Sequence, residues 1–141
     1  MSEYERDILL WSEHQAALLR RVAAGERIND QIDWENVIEE IESVGRSEVK
    51  AVRSALLQAL LHDLKAEAWP RSPYVDHWRA EAVRARGDAA DDFTESMRAK
   101  IDLGTIYRRA LRAMPATIDG QPPLPLPERC PVTLDELLNE E

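Results

Sequence analysis

Residues 47–68 read SEVKAVRSALLQALLHDLKAEA and form the most regularly patterned segment of the chain. Their apolar residues recur at steps of three and four, which is the spacing of one face of an α-helix. Ser47 is a residue type that favours the N-cap position. The segment therefore predicts an amphipathic helix that forms the spine of the core, with an inner face made of Val49, Val52, Leu56, Leu60 and Leu64.

The segment before it predicts a separate helix. Asp33 is a favourable N-cap, and Gly45 belongs to the residue type that most often ends a helix. Between these two residues the apolar side chains again share one face, made of Trp34, Val37, Ile38, Ile41 and Val44. The pattern is typical of an amphipathic helix.

The rest of the chain is rich in strong helix formers and lacks the alternating runs typical of strands. Further helices are predicted over residues 3–23, 75–86, 95–113 and 133–139. Six of the eight prolines lie in residues 115–131, which predicts an extended segment over the surface. We predict an all-α fold, namely a compact bundle of about five to six helices in a single domain, with a proline-rich C-terminal strap and a short final helix.

The overall composition limits the function classes. A chain of 141 residues is about one domain long, and its 27 acidic and 18 basic residues give a net charge of −9. This charge disfavours a general affinity for nucleic acids and for anionic membranes. The single cysteine excludes a disulfide framework. The acidic N-terminus and the lack of an apolar run of about 20 residues predict a cytoplasmic protein without a signal peptide or membrane span.

Residues 33–48, DWENVIEEIESVGRSE, carry a resemblance to a known family. They are similar to the hallmark D-x-x-N-[LV]-x-E-E-I-E-S-[LV]-G-[RK]-S-E of the bacterial domain-of-unknown-function 29 family. Residues 60–65 and the Cys130-Pro131 pair resemble two further family motifs, although Asp63 stands where the family usually has Leu. The resemblance implies an all-helical intracellular bacterial protein, and it brings no established activity and no catalytic residues.

Carboxylates on the predicted second helix are candidates for chemistry. Glu35, Glu39 and Glu42 share one helix face, and paired carboxylates can bind a divalent metal or transfer protons. A helical di-metal site also needs a Glu-x-x-His motif, which the sequence lacks. We therefore expect a solvated or partner-facing acidic helix with an ion pair between Glu42 and Arg46, and neither a metal site nor a cofactor.

His62 has two interpretations, and His77 is a residue that could meet it in space. His62 lies next to the apolar face of the spine helix, close to Lys65, and His77 adjoins Trp78. A histidine near an acid can serve as a general base or a metal ligand, and a structural histidine bonded to a neighbouring segment is the alternative. Cys130 is expected to anchor the C-terminal segment by packing rather than to act as a nucleophile.

Charge is unevenly distributed along the chain. Residues 1–45 have a net charge of −7, residues 46–86 of +3, and residues 87–141 of −5. In the basic middle, arginines alternate with aromatic residues, a composition found in anion sites and at interface hot spots. The alternative is that the tryptophans belong to the core and the arginines pair with acidic helices. The candidate anion- or partner-binding residues are His62, Lys65, Trp69, Arg71, His77, Trp78 and Arg79.

The motifs of familiar enzyme classes are missing from the sequence: it has no phosphate-binding glycine loop, nucleophile elbow or zinc motif. The leading hypothesis is a non-catalytic interaction module that binds a protein partner or a second copy of itself, acidic helix against basic middle. The alternative is a small enzyme or an anion-binding protein with a site around His62, His77 and the Arg/Trp-rich loop. Nucleic-acid binding by residues 71–86 is the weakest hypothesis.

Overall fold

The computed structural model describes residues 1–139, and their regular structure is helical. The strand-like pairing found within residues 1–139 is limited to an isolated antiparallel bridge between Ile118 and Gln121. The prediction of an all-α fold is confirmed. None of the helices in residues 1–139 combines the length and the apolar character needed to cross a membrane. The helices are α1 (Glu3–Arg6), α2 (Ile8–Ala23), α3 (Trp34–Ala68), α4 (Val75–Asp92), α5 (Leu103–Arg112) and α6 (Leu134–Leu138), with 3₁₀ segments at Asn29–Gln31 and Glu95–Lys100.

The chain divides into two compact units, residues 1–46 and the residues from Ser47 on. The first unit has a small core around Trp11, which is buried with Ile32 and Val37. The indole Nε1 of Trp11 donates a hydrogen bond to Asp33 Oδ2 at 2.9 Å. This bond ties α2 to the residue that precedes α3. That the chain is a single domain stays a prediction.

The N-terminal helix predicted over residues 3–23 is interrupted at Asp7. The backbone of Asp7 leaves the helical region, with φ −153° and ψ 85°, and its carboxylate accepts a hydrogen bond from the backbone N–H of Leu10. Asp7 therefore ends α1 and caps α2, a role for which aspartate is well suited. The predicted end of this helix at residue 23 is confirmed, and Gly25 just beyond it has a φ of +100°, a conformation that glycine adopts without strain.

Helix α3 is continuous over 35 residues, whereas the sequence predicted two helices separated at Gly45. The prediction of a break was wrong: Gly45 lies inside α3, and Ser47 is an interior residue rather than an N-cap. A glycine inside a helix costs about 1 kcal/mol relative to alanine. The strong helix formers on both sides of Gly45 outweigh this cost, so that the helix continues through it.

The second unit is built on the part of α3 that the sequence identified as the spine. Its predicted inner face is confirmed, since Val52 and Leu56 are fully buried and the rest of that face is nearly so. Helices α5 and α6 and the 3₁₀ segment Glu95–Lys100 contribute to the same core. The side chains that they bury there include Met97, Ile106, Tyr107, Ala110 and Leu137.

The remaining helix boundaries of the second unit differ from the prediction. Helix α4 was expected to end near Gly87 and continues to Asp92, because Gly87, like Gly45, lies between good helix formers. The helix predicted over residues 95–113 is divided into a 3₁₀ segment and α5, because Asp102 accepts a hydrogen bond from Thr105 N–H and caps a new helix. The short final helix is confirmed, with Thr133 as its N-cap.

The proline-rich segment of residues 115–131 has no helix, and hydrogen bonds from buried aromatic residues attach it to the second unit. Tyr107 Oη donates to the carbonyl oxygen of Pro127 at 2.6 Å, and Trp69 Nε1 donates to that of Gln121 at 2.9 Å. Burial raises the pKa of the Tyr107 phenol, which therefore stays a donor at neutral pH. Cys130 packs against the core at the end of the segment.

Candidate interaction surface

The first part of α3 carries large apolar side chains that the described chain leaves largely exposed, although the indole Nε1 of Trp34 donates to the Asn29 carbonyl oxygen at 2.9 Å. Of the apolar face predicted there, only Val37 is buried. The exposed stripe consists of Trp34, Ile38, Ile41 and Val44, whose exposed fractions are 44%, 52%, 68% and 64%. These residues follow one another at steps of four, three and three, so they span about 15 Å along the helix. Large apolar residues grouped in this way mark interaction surfaces more often than isolated ones.

The pattern of the exposed stripe continues into the buried part of the same helix. After Gly45, steps of four and three lead through Val49, Val52 and Leu56, all of which are buried. Gly45 itself has no neighbouring atom within 4 Å of the position that a Cβ would occupy. Helix α3 therefore has one apolar face, of which the part from Val49 on is covered and the part before Gly45 is open.

Carboxylates lie alongside the exposed stripe. Glu35, Glu39 and Glu42 are all exposed, at the i, i+4 and i+7 positions of α3. Arg46 donates a hydrogen bond to Glu39 at 2.6 Å, so the predicted ion pair of Arg46 with Glu42 was wrong. Glu35 and Glu42 have no ion-pair partner within residues 1–139, and they give this side of the stripe a negative potential.

The opposite side of α3 is held by polar contacts within the first unit. Tyr4 Oη donates to Glu40 Oε1 at 2.5 Å, and this bond raises the pKa of the tyrosine. The carboxylate of Asp33 accepts hydrogen bonds from the Asn36 side chain at 2.8 Å and from Trp11. These bonds hold the pKa of Asp33 below its usual range, and the bond from Asn36 has the largest effect. The start of α3 is therefore fixed while its apolar side remains open.

The tryptophans proposed as site residues lie in the core of the second unit. Trp69 and Trp78 are buried, and their ring centroids are 6.5 Å apart. The exposed ring of Tyr74 lies 6.0 Å from that of Trp78. The core interpretation therefore describes both tryptophans, although Trp69 also lines an open cleft.

That cleft has a volume of about 690 Å³ and lies between residues 68–73 and residues 118–124. Its lining is mostly apolar, with Trp69, Ile118 and Leu124 among the residues, and it also includes the exposed Arg71 and the acidic Asp119. A second hydrogen bond, from Leu124 N–H to the Ala68 carbonyl oxygen at 2.9 Å, holds the two sides together. Of the seven predicted site residues, this cleft brings together Trp69 and Arg71.

His62 lies elsewhere in the second unit, in a groove of about 460 Å³ between α3 and α4. Its Nδ1 is 2.7 Å from the carbonyl oxygen of Gln58 and donates a hydrogen bond to it. His77 and Arg79 are exposed on α4 and do not line this groove, and neither does Lys65, which is half-buried on α3. The predicted residues therefore do not form one site.

Acidic side chains are frequent near His62, but they are not arranged as metal ligands. Within residues 1–139, no group of three or more His, Cys, Asp or Glu side chains is placed to hold a metal ion. Two arginines of the basic middle pair with acids close by: Arg86 with Asp63 across to α3, and Arg84 with Glu81 on α4. The sulfur of Cys130 donates to the Val132 carbonyl oxygen at 3.3 Å, within its own segment.

Sequence reasoning found the residues of the exposed stripe but not their exposure. The periodic pattern indicates which residues share a helix face, and it is the same for a face that packs inside the chain and for one that meets a partner. One signal was available. Residues 1–30 can supply only one short amphipathic helix, α2, to cover the first part of α3.

These features define an all-α protein with an apolar helix face that is open and bordered by acids. The family model described as "Domain of unknown function DUF29" matches residues 3–141, and the chain belongs to this family. The resemblance drawn from residues 33–48 is thereby confirmed.

A solved structure supports the same fold. The chain is similar to an alpha-helical protein of unknown function from Rhodospirillum rubrum, with 32% sequence identity and a TM-score of 0.72. The match covers 100% of this chain and 92% of the other. No curated protein matches the sequence.

Proposed function

We propose that this chain is a non-catalytic interaction module that binds a protein partner through the exposed stripe. The observation that carries the proposal is the row of apolar side chains on successive turns of α3, in which Ile38, Ile41 and Val44 each expose more than half of their surface. Covering this row with a partner removes apolar surface from water, which is the main driving force of protein association.

The distribution of exposed apolar residues supports the same proposal. The first unit exposes further large apolar side chains at the start of α2, where Ile8, Leu9 and Leu10 are all open to solvent. In the described part of the second unit, by comparison, the exposed ones are single residues far apart in the sequence: Tyr74, Val83 and Leu124. Single exposed apolar residues are ordinary, whereas grouped ones point to a binding surface.

Site-specific photo-crosslinking in the organism that encodes the chain tests the proposal. A photoreactive amino acid at position 41 lies on the exposed stripe, and one at position 83 has the same exposure on α4 and serves as the matched control. We expect a discrete crosslinked partner protein from position 41 and none from position 83. The crosslink must also disappear when Ile38 and Val44 are changed to serine. Equal products from both positions would contradict the proposal.

A second candidate function rests on the cleft beside Trp69. The cleft volume of about 690 Å³ lies within the range of small-molecule sites, and its mostly apolar lining includes one basic residue, Arg71, and one acidic residue, Asp119. Arginine binds carboxylates in a bidentate manner. The cleft therefore suits an apolar molecule that ends in a carboxylate. The chain would then be an anion-binding protein, with Arg71 and Trp69 as the binding residues.

Titration with phenylacetate, followed by tryptophan fluorescence and calorimetry, tests this second candidate. We expect Arg71→Gln to weaken binding at least about tenfold, which corresponds to the loss of about 1.4 kcal/mol. Arg79→Gln is the matched control, since Arg79 is exposed and lies outside the cleft. Equal effects of the two substitutions, or no binding to the unaltered chain, would contradict the assignment.

A further inference from the structure

We infer that the partner of the exposed stripe is an amphipathic helix with basic residues on its borders. This inference rests on the proposed function and names the chemistry of the partner. It draws on three separate observations: the spacing of the apolar side chains, the open glycine at the end of the row, and the unpaired carboxylates beside it.

The spacing of the stripe suits a helical partner. Trp34, Ile38 and Ile41 stand at i, i+4 and i+7, the anchor positions by which two helices pack side by side. Val44 extends the row by one more turn. A partner helix of three to four turns, roughly 11 to 14 residues, is long enough to cover the row of about 15 Å.

Gly45 allows the partner helix to approach closely. It lies one residue beyond Val44 on the same open side of α3, and apart from its two neighbours and the adjacent helix backbone no atom of the described chain lies within 4 Å of the position of its missing Cβ. A glycine in a helix interior is destabilising by about 1 kcal/mol relative to alanine, and nothing within the described chain requires it at this position. A helix that crosses α3 here meets backbone rather than a side chain.

The charges beside the stripe select a basic partner. Glu35 and Glu42 border the stripe with no ion-pair partner within residues 1–139, while Glu39 has Arg46. Residues 1–46 carry eleven acidic and five basic side chains, so the first unit has a net charge of −6. Lysine or arginine at the borders of a partner helix would meet these carboxylates and speed association.

The same charges weigh against the other occupants. Two copies of the chain packed stripe against stripe would bring two units of net charge −6 together, and like charges at an interface are costly. An anionic membrane surface would be repelled for the same reason. A basic helix is therefore favoured over self-association and over membrane binding.

Two synthetic peptides test the inference by fluorescence anisotropy. Both have leucine at the i, i+4, i+7 and i+11 positions of a helix; one has lysine at the bordering positions and the other has glutamate. We expect the basic peptide to bind at least about tenfold more tightly than the acidic one at low salt, and this advantage to shrink as salt screens the charges. Equal affinities of the two peptides would overturn the inferred preference for a basic partner, but would not contradict the proposed function.

Variants of the chain identify the surface. We expect Ile41→Ser to weaken the binding of the basic peptide at least about tenfold, as for a residue at the centre of an interface. The pair of substitutions Glu35→Gln and Glu42→Gln is expected to weaken it several-fold and to remove most of the salt dependence. Val83→Ser is the matched control and leaves binding unchanged, since Val83 is as exposed as Ile41 but lies on α4.

Three other outcomes would overturn the inference of a basic helical partner. Failure of both peptides to bind would overturn the helical partner, while the crosslinking experiment at position 41 still judges the proposed function on its own. Light scattering that finds a dimer of the free chain, dissociated by Ile41→Ser, would show that a second copy occupies the stripe and would overturn the inference. Binding of the chain to vesicles of anionic lipid, lost in Ile41→Ser, would overturn it as well.

Discussion

The two parts of α3 carry the same kind of apolar pattern and lie in different surroundings. From Val49 to Leu64 the pattern is buried under side chains of the second unit, and from Trp34 to Val44 it is open to solvent. Helical periodicity therefore indicates which residues share a helix face, but not whether the chain itself covers that face. In one part the chain itself supplies the cover, and in the other we propose that a partner does.

The largest expected difference between the two parts concerns stability. Leu56 is fully buried, so Leu56→Ala removes buried methyl groups and leaves a cavity. We expect it to lower the free energy of unfolding by about 2–5 kcal/mol, as measured by chemical denaturation. A loss below about 1 kcal/mol would show that the spine is not tightly packed at this residue.

Asp33 ties the open part of α3 to α2, and its removal should have the next largest effect. Asp33→Ala deletes the acceptor of the Trp11 and Asn36 hydrogen bonds at the start of the helix. We expect a loss of about 0.5–2 kcal/mol in denaturation, the usual cost of losing a capping side chain. Asp30→Ala is the control, because Asp30 is exposed in the preceding turn. Equal losses from both substitutions would speak against the network.

The same carboxylate gives the first unit a defined response to acid. Hydrogen bonds hold the pKa of Asp33 below its unfolded value of 3.8. Its contribution to stability is therefore fully present above that value and is lost as the pH falls through the lower pKa of the folded state. We expect the stability difference between the unaltered chain and Asp33→Asn to narrow below about pH 4 in acid titrations, since protonation removes the charged acceptor. A difference that is constant with pH would contradict this assignment.

Gly45 marks the point where the covered and open parts of α3 meet. A Cβ at this position meets no atom within 4 Å, and the backbone is helical, so Gly45→Ala should stabilise the chain by about 0.5–1 kcal/mol. Gly25→Ala is the contrasting control, because Gly25 has a φ of +100° and alanine is strained there. Thermal unfolding measures both. If a partner helix packs closely against Gly45, Gly45→Ala should also weaken the binding of the basic peptide.

The smallest expected effect is at the centre of the exposed stripe. Ile41 leaves most of its surface in water, so Ile41→Ala should change the free energy of unfolding by less than about 0.5 kcal/mol. A small change for Ile41→Ala and a large loss of unfolding free energy for Leu56→Ala would distinguish the exposed stripe from the core within one helix. A loss comparable to that of Leu56 would mean that the chain itself covers the stripe.

Much of the fold follows from local signals. The inner face of the spine and the short final helix were predictable because each depends on neighbouring residues and backbone preferences. Gly45 and Gly87 were misjudged as stops, since whether a glycine ends a helix depends on the balance with its surroundings. The partner of Arg46 was also misjudged: Glu39 lies two turns away, and the choice between it and Glu42 depends on side-chain conformation.

The candidate sites were less predictable than the fold. Tryptophan and arginine alternate in the basic middle, but the buried indoles face inward and two of the arginines pair with nearby acids. The cleft beside Arg71 needs residues 118–124, which are distant in the sequence and carry no motif that points to it. Exposure of Ile41 depends on the cover that the whole chain provides, and a single helix pattern does not contain that information.

The hydrogen bonds of Trp69 and Tyr107 have a consequence for the order in which the protein matures on the ribosome. Both side chains are buried in the second unit, and both donate to carbonyl groups within residues 121–127. Until that stretch has emerged, burying either ring leaves a polar hydrogen without an acceptor, which is costly. The bonds that hold the start of α3 lie within residues 1–46 and are available much earlier in synthesis. The start of α3, with its exposed stripe, can therefore be held in place before the core of the second unit closes.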